Sequence, residues 1–380
     1  MSGNDQPTKR LRSNSEIQAI QLMQNQRVCV LLTGGTAGMK RDENGTLRPV
    51  SGFLNEFIHQ QLLSRSEDLS KTAPHVTVYE FPTQLDSADM GPEEWKMIGN
   101  EIYQRYSEYD GFVVIMGTDT LAFCASALAF MFENLSKPIV VTGAMLPIER
   151  SDSDAPRNLM VSITVAAVSH IPEVVVVFDS FVYRGCRTKK VDSLAIHAFD
   201  SPNFPPLAKS HGVLSVQREL VRSVAPNTTL SFSPEMSPQV VAIRLIPGFH
   251  AQLDLVKHAS GIRGLVLELY GAGNAPKSKP LIDAVMSAVS RGVLVVICSQ
   301  CPKGAVDLFM YENGRQLLNA GAISAADMTF EACVTKLAYL LARNATHLMK
   351  VSLRGEQSDA PAHEARFSDW SVVKDVNHLG

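Results

Sequence analysis

Residues 111–132, GFVVIMGTDTLAFCASALAFMF, hold a strand, a polar loop and a helix in one uninterrupted stretch. Gly111–Met116 is apolar at consecutive positions, the pattern of a strand covered on both faces. Gly117-Thr118-Asp119-Thr120 interrupts it with three polar side chains after a glycine. Leu121–Phe132 is apolar nearly all round, so this helix is expected to be buried rather than to float one face on solvent. A buried strand, a short loop and a buried helix form the repeating unit of an α/β fold.

The same kind of β-branched run recurs at Val28–Leu32, Ile139–Thr142, Val174–Phe178, Val240–Ile246, Gly264–Leu269 and Val293–Ile297. Helical patterns stand at Glu93–Tyr106 and Thr329–Leu341. Strands separated by helices imply right-handed crossovers and a mainly parallel sheet. The alternation stops between His211 and Ser237, where Ser, Asn, Thr and Pro dominate. The expected layout is therefore a polar tail over 1–25, a larger α/β domain over 26–212, a linker over 213–237, a smaller α/β domain over 238–355 and a loose extension over 356–380. No internal repeat is visible.

Composition limits the function classes. With 380 residues, two domains are expected, and 45% apolar against 19% charged residues supports a sizeable core. A net charge of −3 and a pI near 6.4 give no general reason to expect a nucleic-acid partner. No apolar run reaches the roughly 18 residues of a membrane span, and the polar N-terminus has no signal core. Six scattered cysteines do not form a disulfide framework, and the chain reads as cytoplasmic and reduced. Lys9-Arg10-Leu11-Arg12 fits a solvated tail, or a short import or nucleic-acid signal.

In open α/β sheets, sites lie where strands run out into loops at their carboxyl ends. The first strand enters Thr33-Gly34-Gly35-Thr36-Ala37-Gly38, either a tight capped turn or a cradle that presents Thr36 to a ligand. It has neither the GxGxxG of a dinucleotide fold nor the Gly-Lys-Ser/Thr of a phosphate loop. Thr118 and Asp119 are at once preferred helix caps and a hydroxyl–carboxylate pair at a helix N-terminus. Asp86-Ser87-Ala88-Asp89 is a capping sequence, or a donor–acceptor set for an amino acid. Arg184, Arg187, Lys189 and Lys190 follow the Val174–Phe178 strand as a basic loop. A lysine there that pairs with an Asp can hold a Thr hydroxyl ready for proton transfer. No metal-ligand spacing is present, and Cys298-Ser-Gln-Cys301 has no second pair, which favours a structural role. The absence of GxSxG weighs against a serine hydrolase of the α/β type.

As an ordered set, TGGTAGM (33–39), DSADM (86–90), GTDT (117–120), VTGAMLP (141–147), YRGCRTKK (183–190) and YGAGNAP (270–276) resembles the bacterial-type L-asparaginases, in particular their cytosolic type I branch. The resemblance covers about 27–355. It implies an α/β fold of two domains, a larger N-terminal flavodoxin-like one and a smaller C-terminal one. The implied reaction is hydrolysis of L-asparagine to L-aspartate and ammonia, with no cofactor and no metal. By motif, Thr36 would be the nucleophile, and Thr118, Asp119 and Lys190 a second triad. Gly35, Asp86, Ser87, Gly117 and Ala144 would line the substrate. Ser87 and Asp119 would grip its carboxylate and amine. Asn274 would come from a neighbouring subunit, making the active unit a homodimer or homotetramer.

Three departures from the family pattern carry consequences. The loop after the first motif has Thr46 where a tyrosine contacting the nucleophile is common, and Tyr311 is the candidate replacement. Glu268 and Lys189 stand where an effector site known in some type I enzymes has Arg and Thr, so that site is expected to be altered or absent. Ala37 replaces a bulkier apolar residue behind Thr36. Two rivals remain. One is a same-class enzyme that prefers glutamine, since one methylene is worth only about 1–3 kcal/mol of discrimination. The other is a non-catalytic amino-acid sensor, which would need the grip but not both hydroxyls. A tRNA-linked amidase subunit would carry a further N-terminal domain, for which 26 residues leave no room. Relatives with a lysophospholipase label carry C-terminal repeats that this chain does not contain.

Overall fold

The computed structural model describes residues 25–35, 38–50, 52–62, 73–211, 213–248, 251–258 and 260–358. The expectations for 1–24, Lys9–Arg12 among them, and for 359–380 lie outside the described residues. Five strands, β1 (Arg27–Leu32), β2 (His75–Glu80), β3 (Gly111–Ile115), β4 (Ile139–Thr142) and β5 (Val174–Phe178), run parallel in the order β2-β1-β3-β4-β5. This is the flavodoxin order, and its switch point falls between β1 and β3, where successive crossovers leave the sheet in opposite directions. β3 is buried at every position, as its unbroken apolar run requires.

Three further strands extend the sheet in antiparallel fashion: β6 (Phe181–Arg184), β7 (Ala208–Ser210) and β8 (Leu214–Val216). The turn from β5 to β6 is only Asp179-Ser180, with φ of 42° and 69°. Two consecutive left-handed residues match the twist of the strands they join, so the chain reverses without splaying the pair. The large sheet therefore runs on to Val216.

The second sheet has β9 (Val240–Arg244), β10 (Gly264–Leu269), β11 (Leu294–Ser299) and β12 (Ile323–Ser324), all parallel and in chain order. β9 departs from the reading of a strand buried on both faces. It is the sheet edge, and its residues are part-buried or exposed because no strand covers its outer side.

Helices α1 (Pro92–Arg105), α2 (Leu121–Met131), α3 (Ala155–Val168), α4 (Ala251–His258), α5 (Lys279–Ser290), α6 (Glu312–Asn319) and α7 (Phe330–Ala342) fill the crossovers and close the C-terminal end. α1 starts on Gly91-Pro92, and the Glu94 carboxylate accepts from the Gly91 N–H at 2.8 Å. α2 is apolar all round because it lies between the large sheet and α7. Phe123 meets Phe330 edge-on at 6.1 Å, and Phe130 lies 5.9 Å from Tyr339. One continuous apolar cluster thus joins Cys29 and Leu31 of β1, α2, and Val266, Val296 and Leu337 of the second domain.

The loose extension expected from Glu356 is corrected at its start. Glu356 is fully buried, with its carboxylate 2.5 Å from the equally buried Lys336 ammonium of α7. Lys336 also donates to the carbonyls of Met349 and Val351, and Glu356 accepts from the N–H groups of Leu353 and Arg354. A buried ion pair persists only when the remaining donors and acceptors are satisfied in this way. Among the described residues no helix is long and apolar enough to cross a membrane.

Candidate active site

Three loops nest at the switch point, and glycine permits it. Thr33 donates from its N–H to Ile115 O at 3.0 Å, and Leu85 N–H donates to Thr33 O at 2.7 Å, so the loop after β1 is held between its two neighbours. Gly35 has φ +93°, and a Cβ there would stand 2.5 Å from the Gly117 nitrogen. Gly34, at φ +145°, has no room for a Cβ beside the Leu85 carbonyl, nor does Gly117 beside the Ser87 hydroxyl. At Gly34 and Gly35 both the positive φ and the close approach exclude a side chain, and at Gly117 the close approach alone does so. Thr36 and Ala37 lie outside the described residues.

The capping reading of GTDT does not hold for the residue at the cap. Thr120 occupies the N-cap of α2 without a side-chain cap bond. Its hydroxyl instead donates to Ser87 O at 2.6 Å and ties the 86–90 turn to the head of the helix. Thr118 and Asp119 turn towards Lys190, whose Nζ donates to Thr118 Oγ1 at 2.9 Å and to Asp119 Oδ1 at 2.8 Å. The lysine side chain is 19% exposed and that of Asp119 is 69% exposed, so the pair is open to solvent on the Asp119 side. An ammonium that donates to the threonine oxygen leaves the hydroxyl proton free to point elsewhere. That is the geometry a proton relay needs.

Asp86 behaves as the capping reading expected, its carboxylate accepting from Ala88 N–H at 2.9 Å. Ser87 beside it is buried and packs on Gly117. Ala144 is buried in the loop after β4, where Gly143 leaves no room for a Cβ, which would stand 2.5 Å from Met116 O. The structure thus brings Gly35, Ser87, Gly117, Thr118, Asp119 and Lys190 into one cluster, with Asp86 and the Ala144 loop at its margin.

Asn274 and Tyr311 are not part of it. They lie in the second domain, in the loop after β10 and at the head of α6. Asn274 Oδ1 accepts from Ala275 N–H at 2.9 Å, and Tyr311 is 48% exposed. Thr46 is exposed in a hairpin turn organised by Asp42, whose carboxylate accepts from the N–H groups of Asn44 and Thr46.

Two residues unremarked in the sequence brace the site. Asp154, at the head of α3, accepts from the N–H groups of Met145 and Leu146 at 3.0 Å. Asn158, one turn on, donates to Gly143 O and to Asp154 Oδ2 and accepts from Asp179 N–H, each at 3.0 Å. Both are at least 95% buried, so together they fix the backbone of the Ala144 loop and the start of the β5–β6 turn. The available signal was an Asp and an Asn four apart at the start of an apolar helix. It is also an ordinary helix start.

The second domain grips the segment that carries Lys190. Arg187, 2% exposed, pairs with Asp327 at 2.8 Å, and Lys189 pairs with Glu331 at 2.9 Å. Glu268 lies 3.9 Å from Arg244, and burial pushes its carboxyl up while Arg244 and Lys189 act against that shift. Cys298 is buried beside Cys333 of α7, and Cys301 is exposed, so the two ends of the CxxC face different surroundings.

Residues 27–222 match the asparaginase N-terminal domain family, and residues 239–349 match the glutaminase/asparaginase C-terminal domain family. The chain belongs to the asparaginase family. It is 40% identical over 343 residues to L-asparaginase 1 of Escherichia coli strain K12, spanning 88% of this chain and 98% of that one. It is 38% identical over 365 residues to the 60 kDa lysophospholipase of Mus musculus, spanning 90% of this chain and 64% of that protein. The solved thermostable L-asparaginase of Thermococcus kodakarensis matches with a TM-score of 0.78 and 36% identity, over 88% of this chain and all of its own. The two-domain α/β fold of this asparaginase-family enzyme is the one implied by its motifs.

Proposed function

We propose that this enzyme hydrolyses the side-chain amide of L-asparagine to L-aspartate and ammonia, with Thr36 as nucleophile. The observation that carries the reading is the Lys190 ammonium held between Thr118 and Asp119 at the mouth of the nested glycine loops. In the first step the Thr36 oxygen bonds to the amide carbon, the carbon–nitrogen bond breaks, and ammonia leaves with the threonine proton. In the second, water adds to the ester carbon, the carbon–oxygen bond breaks, and Thr36 recovers a proton. Thr118, activated by Lys190, relays the proton. Backbone N–H groups of the glycine loop are suited to stabilise the oxyanion. Ser87 and Asp119 hold the α-carboxylate and α-amine of the substrate.

The working unit in this reading is at least a dimer, with Asn274 reaching the crevice from a second copy. Exposed apolar residues beside the site and on the second domain, Leu194 at 87% and Phe309 at 60%, support such a contact. Six free cysteines support a reduced, cytoplasmic setting.

The test is ammonia release from purified protein with L-asparagine, with L-glutamine in parallel and Thr36→Ala as control. Release that vanishes in the variant is the expected result. Near-normal turnover by Thr36→Ala would remove Thr36 from the nucleophile role. Asparagine that raises the melting temperature without release would favour the sensor.

A further inference from the structure

A cavity of about 250 Å³ lies apart from the candidate active site, sharing none of its residues. Its walls come from the carboxyl end of α2, the start of β5, the end of β6, residues 222–225 and Leu353-Arg354. Three guanidinium groups line it: Arg184, Arg222 and Arg354. Two carboxylates face them, Glu173 and Glu133.

The acids do not neutralise the bases. Glu173 is committed, accepting from Arg184 Nε at 2.6 Å and Nη2 at 3.2 Å and from the Arg222 backbone N–H at 2.8 Å. Glu133 is 53% exposed and stands 3.8 Å from Arg354. Arg354 is spent on backbone oxygens, donating from Nε to Ala129 O at 3.0 Å and to Phe132 O at 3.1 Å. That caps the α2 carboxyl end but brings in no full negative charge. The Arg222 guanidinium has one acceptor among the described residues, the Leu353 carbonyl at 3.0 Å, and no carboxylate. The result is a walled space with an excess of positive charge and a guanidinium edge free at its mouth.

We propose that this cavity binds a phosphate-type oxyanion, with Arg222 as its principal ligand. Guanidinium forks pair bidentately with phosphate oxygens, and such charge-assisted bonds are about twice as strong as neutral ones. The volume admits a phosphate with a small group attached. The site is separate from the asparagine crevice and does not depend on the reading of that crevice.

The experiment titrates the full chain with inorganic phosphate and, in a second arm, glycerol phosphate, at constant ionic strength set with sodium chloride. Melting temperature and calorimetric heat are read for the wild type, Arg222→Ala, Arg222→Gln and Lys190→Ala. A saturable rise is expected in the wild type and in Lys190→Ala, with binding about ten- to a hundredfold weaker in both Arg222 variants. The arm that binds more tightly identifies free phosphate or a phosphomonoester as the source. No saturable response in either arm, or a wild-type response in both Arg222 variants, overturns the proposal. Loss of the response in Lys190→Ala also overturns it, by moving the anion to the crevice. The Arg222 side chain is exposed and bonded only to the Leu353 carbonyl, and melting without ligand checks that each variant folds.

Discussion

Lys190 and Thr118, 72 positions apart, meet at 2.9 Å with the lysine ammonium donating to the threonine oxygen. The contact rests on both domains. Arg187 and Lys189, on the same short segment, are paired to Asp327 and Glu331 of the second domain, so the approach of Lys190 to the loop after β3 is set from outside that loop.

Lys190→Met should lower kcat for ammonia release by about 10²–10⁴-fold, the range of a lost proton-transfer group. Asparagine should still raise the melting temperature, because the grip on the α-amine and α-carboxylate is intact. Single-turnover ammonia release and thermal melts separate the two effects. A variant that keeps its rate would show that Lys190 is only an ion-pair partner.

Asp154→Ala strips the acceptor from the Met145 and Leu146 N–H groups. A loss of roughly 2 kcal/mol in urea unfolding is expected, the scale of a buried donor left unsatisfied. If the residue also positions the Ala144 loop, KM rises in Asp154→Asn even where stability recovers. Equal KM in Asp154→Asn and wild type would confine Asp154 to a stability role.

Glu356→Ala leaves the Lys336 ammonium buried and unpaired and should cost about 3–5 kcal/mol. The pH dependence has a definite sign. Burial pushes the Glu356 carboxyl up, but the Lys336 charge and the backbone N–H bonds outweigh it and hold it below the ordinary 4.5. A depressed folded-state value means stability is fully present above the unfolded value and is lost as pH falls through the folded one. Melting temperature should therefore fall below pH 4.5 in the wild type, and fall less steeply in Glu356→Gln.

Thiol reagents should find one reactive cysteine of six in the native protein. Burial pushes Cys29 up to about 11 and Cys124 and Cys186 up to about 12, and Cys333 is raised against Cys298. Cys301 alone is exposed. Native titration with a chromogenic disulfide should count about one thiol in the wild type and none in Cys301→Ser, with all cysteines reacting after denaturation. Rapid native labelling of several thiols would contradict the packing around α2 and α7.

The sequence by itself determined the α/β class, the buried strands β1, β3, β4 and β5, the all-round burial of α2 and the loops at 33–38, 86–90, 117–120 and 183–190. Each depends on local pattern: consecutive β-branched residues need cover on both faces, and Gly-rich breaks after such strands mark close backbone approach. Tertiary structure alone decided the reversal at Asp179-Ser180, which carries no Asn-Gly or Asp-Gly signal, and with it the antiparallel extension that returns Lys190 to Thr118. It also decided that Asp154 and Asn158 turn to the Ala144 loop instead of merely starting a helix. And it put Glu356, at the start of a polar tail, into the core opposite Lys336. For Asp154, Asn158 and Glu356 the partner lies elsewhere in the chain, as with Glu356 and Lys336, 20 residues apart, and a polar side chain does not announce its partner until folding supplies it.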